Sequence, residues 1–443
     1  MGFSIRRNLT TLLAVAVLVA AAFAPPGAIA KATPQRKLSN TLTRRLKEVG
    51  SANGADVVDL TTGKTLFSER ASTPRLPASV EKLYTTSTAL LKFGPNANFL
   101  TRVYGVGSLS SNGTFTGTLY LRGGGDPTFG SAGFDRYYYG TGATMQRLVA
   151  NLVRDTGIRA LDGRIAGDES YFDSLRGTAA TDFESSAYVE GQLSGLAYDR
   201  GFTSISESTF QSRPALYAAQ QFAGALRAAK VRVPNDTPIY TADTPRDATQ
   251  LTDVHSPRMS KLLKLTNAPS DNFFAEMLIK DLGARFGGAG TTAAGAVVVR
   301  AQIAHSFDIR PRLDDGSGLS YSDATSPEQI VTLLDDMADN DAFTQSLAVA
   351  GESGTLVDEM RGTYAQGRCR GKSGTLEAVS NLVGYCRARD GDVIAFAFLM
   401  NNVDPDYAHP IQDQMALALA EYDAANPTST TPPVSTKGGG VSP

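Results

Sequence analysis

The sequence predicts a mixed α/β (α+β) fold in which helices flank an antiparallel sheet and a large β-rich domain is inserted. Two observations lead to this prediction. Strand-like and helical runs are segregated: a hairpin pattern at 55–68 precedes a helical run, and three successive strand-like runs occupy 367–402. Residues 99–249 instead alternate short β-like runs with glycine. The length, 443 residues, is enough for two or three domains with a large core.

The N-terminus has the pattern of a secretory signal peptide. Arg6 and Arg7 precede an apolar run at 12–24, and Ala28-Ile29-Ala30 is a small-x-small cleavage site. The apolar run is shorter than the ~20 residues that span a bilayer. We therefore expect 1–30 to be removed, and the mature chain to be secreted or extracytoplasmic, in a cell wall or a periplasm-like space, without a stable membrane span.

Charge and composition exclude several classes of function. The formal net charge is −2, which gives no electrostatic footprint for nucleic acid. The histidines His255, His305 and His409 are far apart and match no zinc spacing, so we expect no metal and no cofactor. Two cysteines in an exported chain indicate a disulfide.

The first half of the chain contains the following elements in order. A polar helix is predicted at 31–50, because Leu38, Leu42 and Leu46 recur every four residues. The hairpin follows, and a further helix begins near Pro77 and ends near Gly94-Pro95. Within the insertion, helices are predicted at 143–156 and near 216–229.

The second half returns to the first domain. Helices are predicted at 257–265, at 272–282, from Ser326 onward and at 409–422, with the three strands before the last of these. Residues 424–443 are rich in Pro, Thr, Ser and Gly, which predicts a disordered tail. We expect 31–98 and 250–423 to form one discontinuous domain interrupted by 99–249.

The strand register makes a specific prediction about the cysteines. If the first of the three strands turns at Glu377-Ala378, Cys369 lies directly opposite Cys386 on the second strand. Direct cross-strand neighbours are within disulfide range. We therefore predict a Cys369–Cys386 disulfide.

Ser79-x-x-Lys82 is the first motif that indicates chemistry. Positions i and i+3 share a helix face, so the Ser79 hydroxyl can lie within reach of the Lys82 amine. A serine needs a neighbouring base to act as a nucleophile, and a lysine with a lowered pKa can be that base. An ordinary surface helix is the common alternative for Ser-x-x-Lys alone. Only one of the chain's twelve lysines has a serine three positions before it.

Two further motifs follow along the chain. Ser270-x-Asn272 is weak alone, because Ser-x-Asn also occurs at 51–53 and 110–112. Lys372-Ser373-Gly374 occurs once. It is also similar to the end of a P-loop, but a P-loop requires glycine where Gln366 stands and a strand–loop–helix context.

The three motifs in this order resemble those of the penicillin-recognising serine acyltransferases. The flanking residues and the gap of 191 residues between the first two motifs resemble, more closely, the class C low-molecular-mass penicillin-binding proteins, the D-alanyl-D-alanine carboxypeptidase/endopeptidases of peptidase family S13. The resemblance covers about 40–423. The segments that carry it are 75–86, 124–127, 269–276, 315–319 and 372–376.

The resemblance implies a transpeptidase-type catalytic domain, acting on peptidoglycan stem peptides and acylated by β-lactams. It implies that Ser79 is the nucleophile and Lys82 its general base, that Lys372 adds a second positive charge that helps to keep Lys82 neutral, and that Ser270 relays a proton. Asn272 would hold the substrate amide or Lys82. Ser373 and Lys372 would bind the terminal carboxylate, Gly374 would allow close approach, and the N–H groups of Ser79 and Thr375 would form the oxyanion hole. The family usually has threonine at the position of Ser373, from which we expect modest effects.

Two alternatives remain open from the sequence. One is a β-lactamase or esterase on the same fold, against which the long insertion argues. The other is a non-catalytic wall-binding or β-lactam-sensing protein, against which the intact Ser79, Lys82, Ser270, Asn272 and Lys372 argue.

Overall fold

Two β-sheets organise the computed structural model, which describes residues 33–206 and 209–425. Up to residue 168 the elements are α1 (Pro34–Glu48), β1 (Gly54–Asp59), β2 (Lys64–Glu69), α2 (Lys82–Phe93), β3 (Leu100–Leu109), β4 (Thr114–Arg122), α3 (Ala132–Tyr138), α4 (Met145–Thr156) and β5 (Ala160–Asp168). Up to residue 307 they are α5 (Pro214–Ala228), β6 (Ile239–Thr241), β7 (Thr249–His255), α6 (Met259–Asn267), α7 (Asn272–Phe286) and α8 (Thr292–Phe307). The remaining elements are α9 (Pro327–Met337), α10 (Asp341–Thr344), β8 (Ala348–Val349), β9 (Cys369–Leu376), β10 (Val379–Arg387), β11 (Val393–Asn401) and α11 (Pro405–Ala420).

The first sheet is antiparallel, with strand order β2-β1-β11-β10-β9-β8. Strand β11 is central, as its uninterrupted apolar sequence predicts, and it is buried on both faces. Phe396 and Phe398 pack with α1 and α11, whereas Ala395 and Ala397 join the core that includes α2, α7 and α9. Because successive side chains of a strand point to opposite faces, β11 contributes side chains to the cores on both faces of the sheet.

The predicted register of β9 and β10 is confirmed. Cys386 pairs with Cys369 across the two strands, and the two residues form a disulfide with Cα atoms 4.1 Å apart. The turn between the strands is at residues 377–378, as predicted, with Ala378 in the left-handed region at φ 55°.

The second sheet is mixed, with strand order β6-β5-β4-β3-β7. Strands β3, β4 and β7 pair antiparallel, whereas β4–β5 and β5–β6 are parallel. Apolar side chains of α4 and α5, such as Leu148 and Phe222, form a separate core with this sheet. The final strand, β7, begins at Thr249, the last residue of the predicted insertion, and continues to His255.

The N-terminal helix, the hairpin and the long helices agree with the sequence predictions to within a few residues. The predicted signal peptide, 1–30, and the predicted tail beyond residue 425 lie outside the described residues. Within the described ranges, no helix has both the length and the apolar character needed to cross a bilayer.

Candidate active site

Ser79 lies on a short 3₁₀ turn, Ala78–Glu81, that leads directly into α2. The sequence predicts one helix from Pro77, but the α-helix begins at Lys82, one turn later. In a 3₁₀ turn the side chains at i and i+3 eclipse each other. The Nζ atom of Lys82 accordingly lies 2.8 Å from Ser79 Oγ.

The backbone before Ser79 is held in an unusual conformation. Ala78 has φ 47°, in the left-handed region that residues with a Cβ seldom adopt. The Nδ2 atom of Asn381, on β10, donates hydrogen bonds to Leu76 O at 2.9 Å and to Pro77 O at 2.8 Å. The sheet therefore fixes the turn that presents the serine, and local backbone strain of this kind is typical of functional sites.

Lys82 is fully buried, and its amine makes three hydrogen bonds. Besides Ser79 Oγ, it donates to Asn272 Oδ1 at 2.6 Å and to Ser317 O at 2.8 Å. These contacts use all three donors of an ammonium group with no carboxylate among the acceptors. Burial lowers the pKa of Lys82 to about 8, although the charges of surrounding carboxylates, Glu190 foremost, act in the opposite direction.

Ser270 occupies the turn between α6 and α7 with φ 67°. Its Oγ atom accepts a hydrogen bond from Lys372 Nζ at 2.7 Å. Two residues later, Asn272 opens α7, and its side chain also donates to Tyr188 O at 2.7 Å. The second predicted motif thus contacts both lysines, one through each of its polar side chains.

Lys372, on β9, is also fully buried. Burial lowers its pKa well below the usual range, and the charge of Lys82 lowers it further. The resemblance implies that Lys372 helps to keep Lys82 neutral, and this role stays a prediction. The largest effect on the pKa of Lys82 is the burial of its amine.

Gly374 lies where β9 passes closest to the Ser79 turn. A Cβ atom at this position would lie 2.7 Å from Pro77 O and 3.1 Å from Val80 N. Only glycine fits so close a backbone approach. Of its neighbours on the strand, Ser373 donates a hydrogen bond to Thr355 Oγ1 at 2.8 Å, and Thr375 is exposed.

The structure therefore brings Ser79, Lys82, Ser270, Asn272 and Lys372 together, with residues 373–375 on the adjoining strand. In the described residues, no group of three or more His, Cys, Asp or Glu side chains could hold a metal ion. The chemistry that this arrangement supports is attack by an activated serine hydroxyl.

The sequence did not predict that the loop at 315–319 contacts Lys82. The Asp315 carboxylate accepts hydrogen bonds from three backbone N–H groups, those of Ser317, Gly318 and Ser320, which folds the loop so that Ser317 O points at Lys82. The sequence analysis singled out 315–319 only as a segment of resemblance. Its polar turn composition was the available signal, but the contact with Lys82 spans 235 positions.

Buried acids surround this loop. Burial raises the pKa of Glu276 to about 8 and that of Asp323 to about 9, and it raises the pKa of Glu81 well above its usual range. The carboxyl oxygens of Glu81 are buried with no hydrogen-bond partner among the described residues. Neutral acids here limit the negative charge near Lys82, which favours a lowered lysine pKa.

Comparison with known proteins agrees with this geometry. The family model described as the D-Ala-D-Ala carboxypeptidase 3 (S13) family matches residues 35–209 and 202–422. A D-alanyl-D-alanine carboxypeptidase of Actinomadura sp. is 30% identical over 454 residues, covering 84% of this chain and 82% of the relative. A carboxypeptidase of Mycobacterium tuberculosis is 30% identical over 375 residues, covering 79% and 76%.

A solved structure shares the fold. Penicillin binding protein 4 from Haemophilus influenzae superposes with a TM-score of 0.71 at 19% identity, covering 87% of this chain and 99% of that one. The family match spans both halves of the chain and includes all three motifs. The chain therefore belongs to the D-Ala-D-Ala carboxypeptidase 3 (S13) family, as a class C low-molecular-mass penicillin-binding protein and a serine-type D-Ala-D-Ala carboxypeptidase.

Proposed function

We propose that the chain is a secreted DD-carboxypeptidase/endopeptidase that hydrolyses peptidoglycan stem peptides through an acyl-enzyme on Ser79. The observation that carries this proposal is the 2.8 Å contact between Ser79 Oγ and the buried amine of Lys82. A lysine with a pKa of about 8 is partly neutral near neutral pH, so it can accept the serine proton.

Acylation begins when neutral Lys82 removes the hydroxyl proton of Ser79. Ser79 Oγ then attacks the carbonyl carbon of the D-Ala-D-Ala peptide bond, and the carbonyl oxygen gains the negative charge. The backbone N–H groups of Ser79 and Thr375 are assigned to that oxygen, because β9 passes next to the Ser79 turn at Gly374. The C–N bond breaks as Ser270 passes a proton to the leaving amine, and Lys372 is placed to resupply Ser270.

Substrate orientation is assigned to the second and third motifs. We assign binding of the terminal carboxylate to Lys372 and the hydroxyl of Ser373. The negative charge of the bound carboxylate would raise the lowered pKa of Lys372 and favour its ammonium form, which makes the contact charge-assisted. The amide of Asn272 is placed to hold the substrate amide while its oxygen keeps Lys82 in position. Once the amine has left, Lys82 gives up its proton and Lys372 regains one through solvent. Neutral Lys82 then takes a proton from the water that attacks the ester carbonyl, and it returns this proton to Ser79 Oγ as the C–O bond breaks and the acid is released.

The domain organisation of the chain is part of the same proposal. Residues 31–98 and 250–423 would form the catalytic penicillin-binding domain and 99–249 an inserted domain, after removal of residues 1–30. A structure of penicillin binding protein 4 from Haemophilus influenzae in complex with a β-lactam, similar to this chain with a TM-score of 0.65, supports β-lactam binding by this chain. Acylation of Ser79 by the bound β-lactam is proposed from the family resemblance. Cleavage of peptide cross-links, the endopeptidase activity, is proposed from the resemblance to the carboxypeptidase/endopeptidases.

Peptide hydrolysis tests the proposal. The mature chain is incubated with a stem pentapeptide that ends in D-Ala-D-Ala and with a cross-linked peptide dimer, and D-alanine release and dimer cleavage are followed by chromatography. Ser79→Ala should abolish both reactions, whereas Ser110→Ala, on an exposed turn of the second sheet, should leave them unchanged.

The alternative functions give different results. Rapid β-lactam turnover without peptide hydrolysis would make the protein a β-lactamase. Binding of wall fragments without either reaction would make it a non-catalytic binding protein. Release of D-alanine without cleavage of the dimer would keep the carboxypeptidase and remove the endopeptidase part of the proposal.

A further inference from the structure

Glu190 comes from the segment between β5 and α5, yet its side chain reaches the catalytic motifs. Its Oε2 atom accepts a hydrogen bond from the backbone N–H of Asn272 at 2.7 Å. Two residues earlier, Tyr188 O accepts from Asn272 Nδ2 at 2.7 Å. Asn272 Oδ1 accepts from Lys82 Nζ at 2.6 Å. Asn272 is therefore held on two sides by this segment and contacts the proposed base through its side-chain oxygen.

Arg200 links the same segment to the Ser270-x-Asn272 motif. Its guanidinium group pairs with Asp271 at 2.8 Å, stacks over the Phe273 ring at 5.0 Å and lies 4.0 Å from Glu190 Oε2. The Arg200 side chain is only 6% exposed. A buried arginine that is paired with a carboxylate has little conformational freedom. The segment that carries Glu190 is therefore held in place.

The charge of Glu190 bears on both catalytic lysines. Glu190 opposes the effect of burial on the pKa of Lys82 and on that of Lys372. Its own pKa is raised by burial and by the charge of Asp271. The other charged or titratable groups around Lys82 are the carboxyl groups of Asp315, Glu276, Asp271 and Glu81 and the amine of Lys372 on β9. Unlike Glu81 and Glu276, Glu190 is partly open to water, with a side chain 46% exposed, so it can stay ionised.

We propose that Glu190 is a positioning residue of this active site, through which the inserted segment orients Asn272 and favours the ammonium form of Lys82. Glu190 then sets the pH above which Lys82 can act as a base. This inference rests on the proposed function, since it requires that neutral Lys82 drives acylation of Ser79.

A purely structural role for Glu190 is the competing explanation. Its carboxylate accepts the first N–H of α7, and a negative charge near a helix N-terminus stabilises the helix. A cap alone would change stability and leave the protonation of Lys82 as it is. The pH dependence of acylation distinguishes the two roles.

The experiment measures the second-order rate constant for acylation by benzylpenicillin from pH 5.5 to 10, using the mature chain. Glu190→Gln keeps an oxygen that can accept the Asn272 N–H but removes the charge. We expect the acid limb of its pH–rate profile to move to lower pH by about one unit. At pH values below the wild-type limb, acylation should then be about tenfold faster than in the wild type. The plateau at high pH should stay close to the wild-type rate.

Three further variants complete the test. Glu190→Ala should shift the limb in the same way and also lower the plateau, because Asn272 loses a contact. Glu190→Asp keeps the charge and should keep the wild-type limb. Glu421→Gln, an exposed glutamate beyond α11, should leave the whole profile unchanged.

A limb that stays in place in both Glu190→Gln and Glu190→Ala, or that moves to higher pH, would overturn the inference and leave Glu190 as a helix cap. If the wild type is not acylated at Ser79, the proposed function fails and this inference fails with it. If the wild type is acylated there and only the limb fails to move, the inference alone fails.

Discussion

Two buried lysines, Lys82 on α2 and Lys280 on α7, show how similar burial can produce different chemistry. Lys82 is 0% exposed and Lys280 is 1% exposed. Lys280 pairs with the Asp173 carboxylate at 2.5 Å, whereas the three partners of Lys82 are a hydroxyl, an amide oxygen and a backbone carbonyl. Burial lowers the pKa of both, but in Lys280 the hydrogen bond and charge of Asp173 counteract it. A buried lysine with a carboxylate partner remains a structural cation, and one with neutral partners becomes available as a base.

The largest effect is expected when Lys82, the proposed base for the acylation of Ser79, is replaced. Lys82→Met keeps the length of the side chain and removes the base, so acylation of Ser79 by benzylpenicillin should slow by about 10³-fold or more. Stopped-flow measurement of the acylation rate checks this expectation. Lys261→Met, an exposed lysine on α6, is the matched control and should acylate at the wild-type rate.

The second prediction concerns stability as a function of pH. The pKa of Lys82 is about 8 in the folded chain and 10.5 in its ordinary state, so the unfolded chain binds more protons between these values. Stability from this residue should therefore rise as the pH increases from about 8 to 10.5. The free energy of unfolding of the wild type relative to Lys82→Met should increase by about 3 kcal/mol over that range, as measured by urea denaturation. A difference that is flat with pH would contradict the lowered pKa.

The third prediction concerns Lys280, the buried lysine that pairs with Asp173. Lys280→Met removes the buried cation and leaves Asp173 without its partner, which should lower the free energy of unfolding by about 2 kcal/mol. Because the Lys280 amine donates its hydrogen bonds to Asp173 and to Leu175 O rather than to a motif residue, the acylation rate of the folded enzyme should stay within about twofold of the wild type. A large loss of acylation in the folded variant would mean that Lys280 also affects the reaction at Ser79.

The smallest effect is expected at Ser373. Ser373→Thr introduces the residue that the family resemblance leads us to expect at this position, and it keeps the hydroxyl that contacts Thr355. The rate of acylation should change by less than about threefold, which is under ~1 kcal/mol in activation free energy. Comparison of several β-lactams would show whether the added methyl group alters preference. A tenfold change would mean that position 373 controls the site more strongly than its hydrogen bond indicates.

Local patterns predicted single features of the site. The spacing of Ser79 and Lys82 and the β9–β10 register with its Cys369–Cys386 pair follow from residues close together in sequence. That the three motifs form one site was predicted from the family resemblance. The first helix was also predicted, because its leucines repeat every four residues and all three are buried.

Long-range contacts were not predictable in the same way. The contact of Lys82 with Ser317, the Lys280–Asp173 ion pair and the approach of Glu190 to Asn272 join segments 82 to 235 positions apart. No local periodicity encodes such pairs. The parallel pairing of β4 with β5 was likewise invisible, since alternation of apolar and polar residues predicts a strand but not its partner.

The central claim is that Ser79 is the acylated nucleophile. Its most direct test is the intact mass of the mature protein after incubation with benzylpenicillin, followed by peptide mapping. We expect one long-lived penicilloyl adduct per chain on the peptide that contains Ser79, and none in Ser79→Ala. An adduct that persists in Ser79→Ala, or one that maps to a peptide without Ser79, would contradict the assignment of the nucleophile.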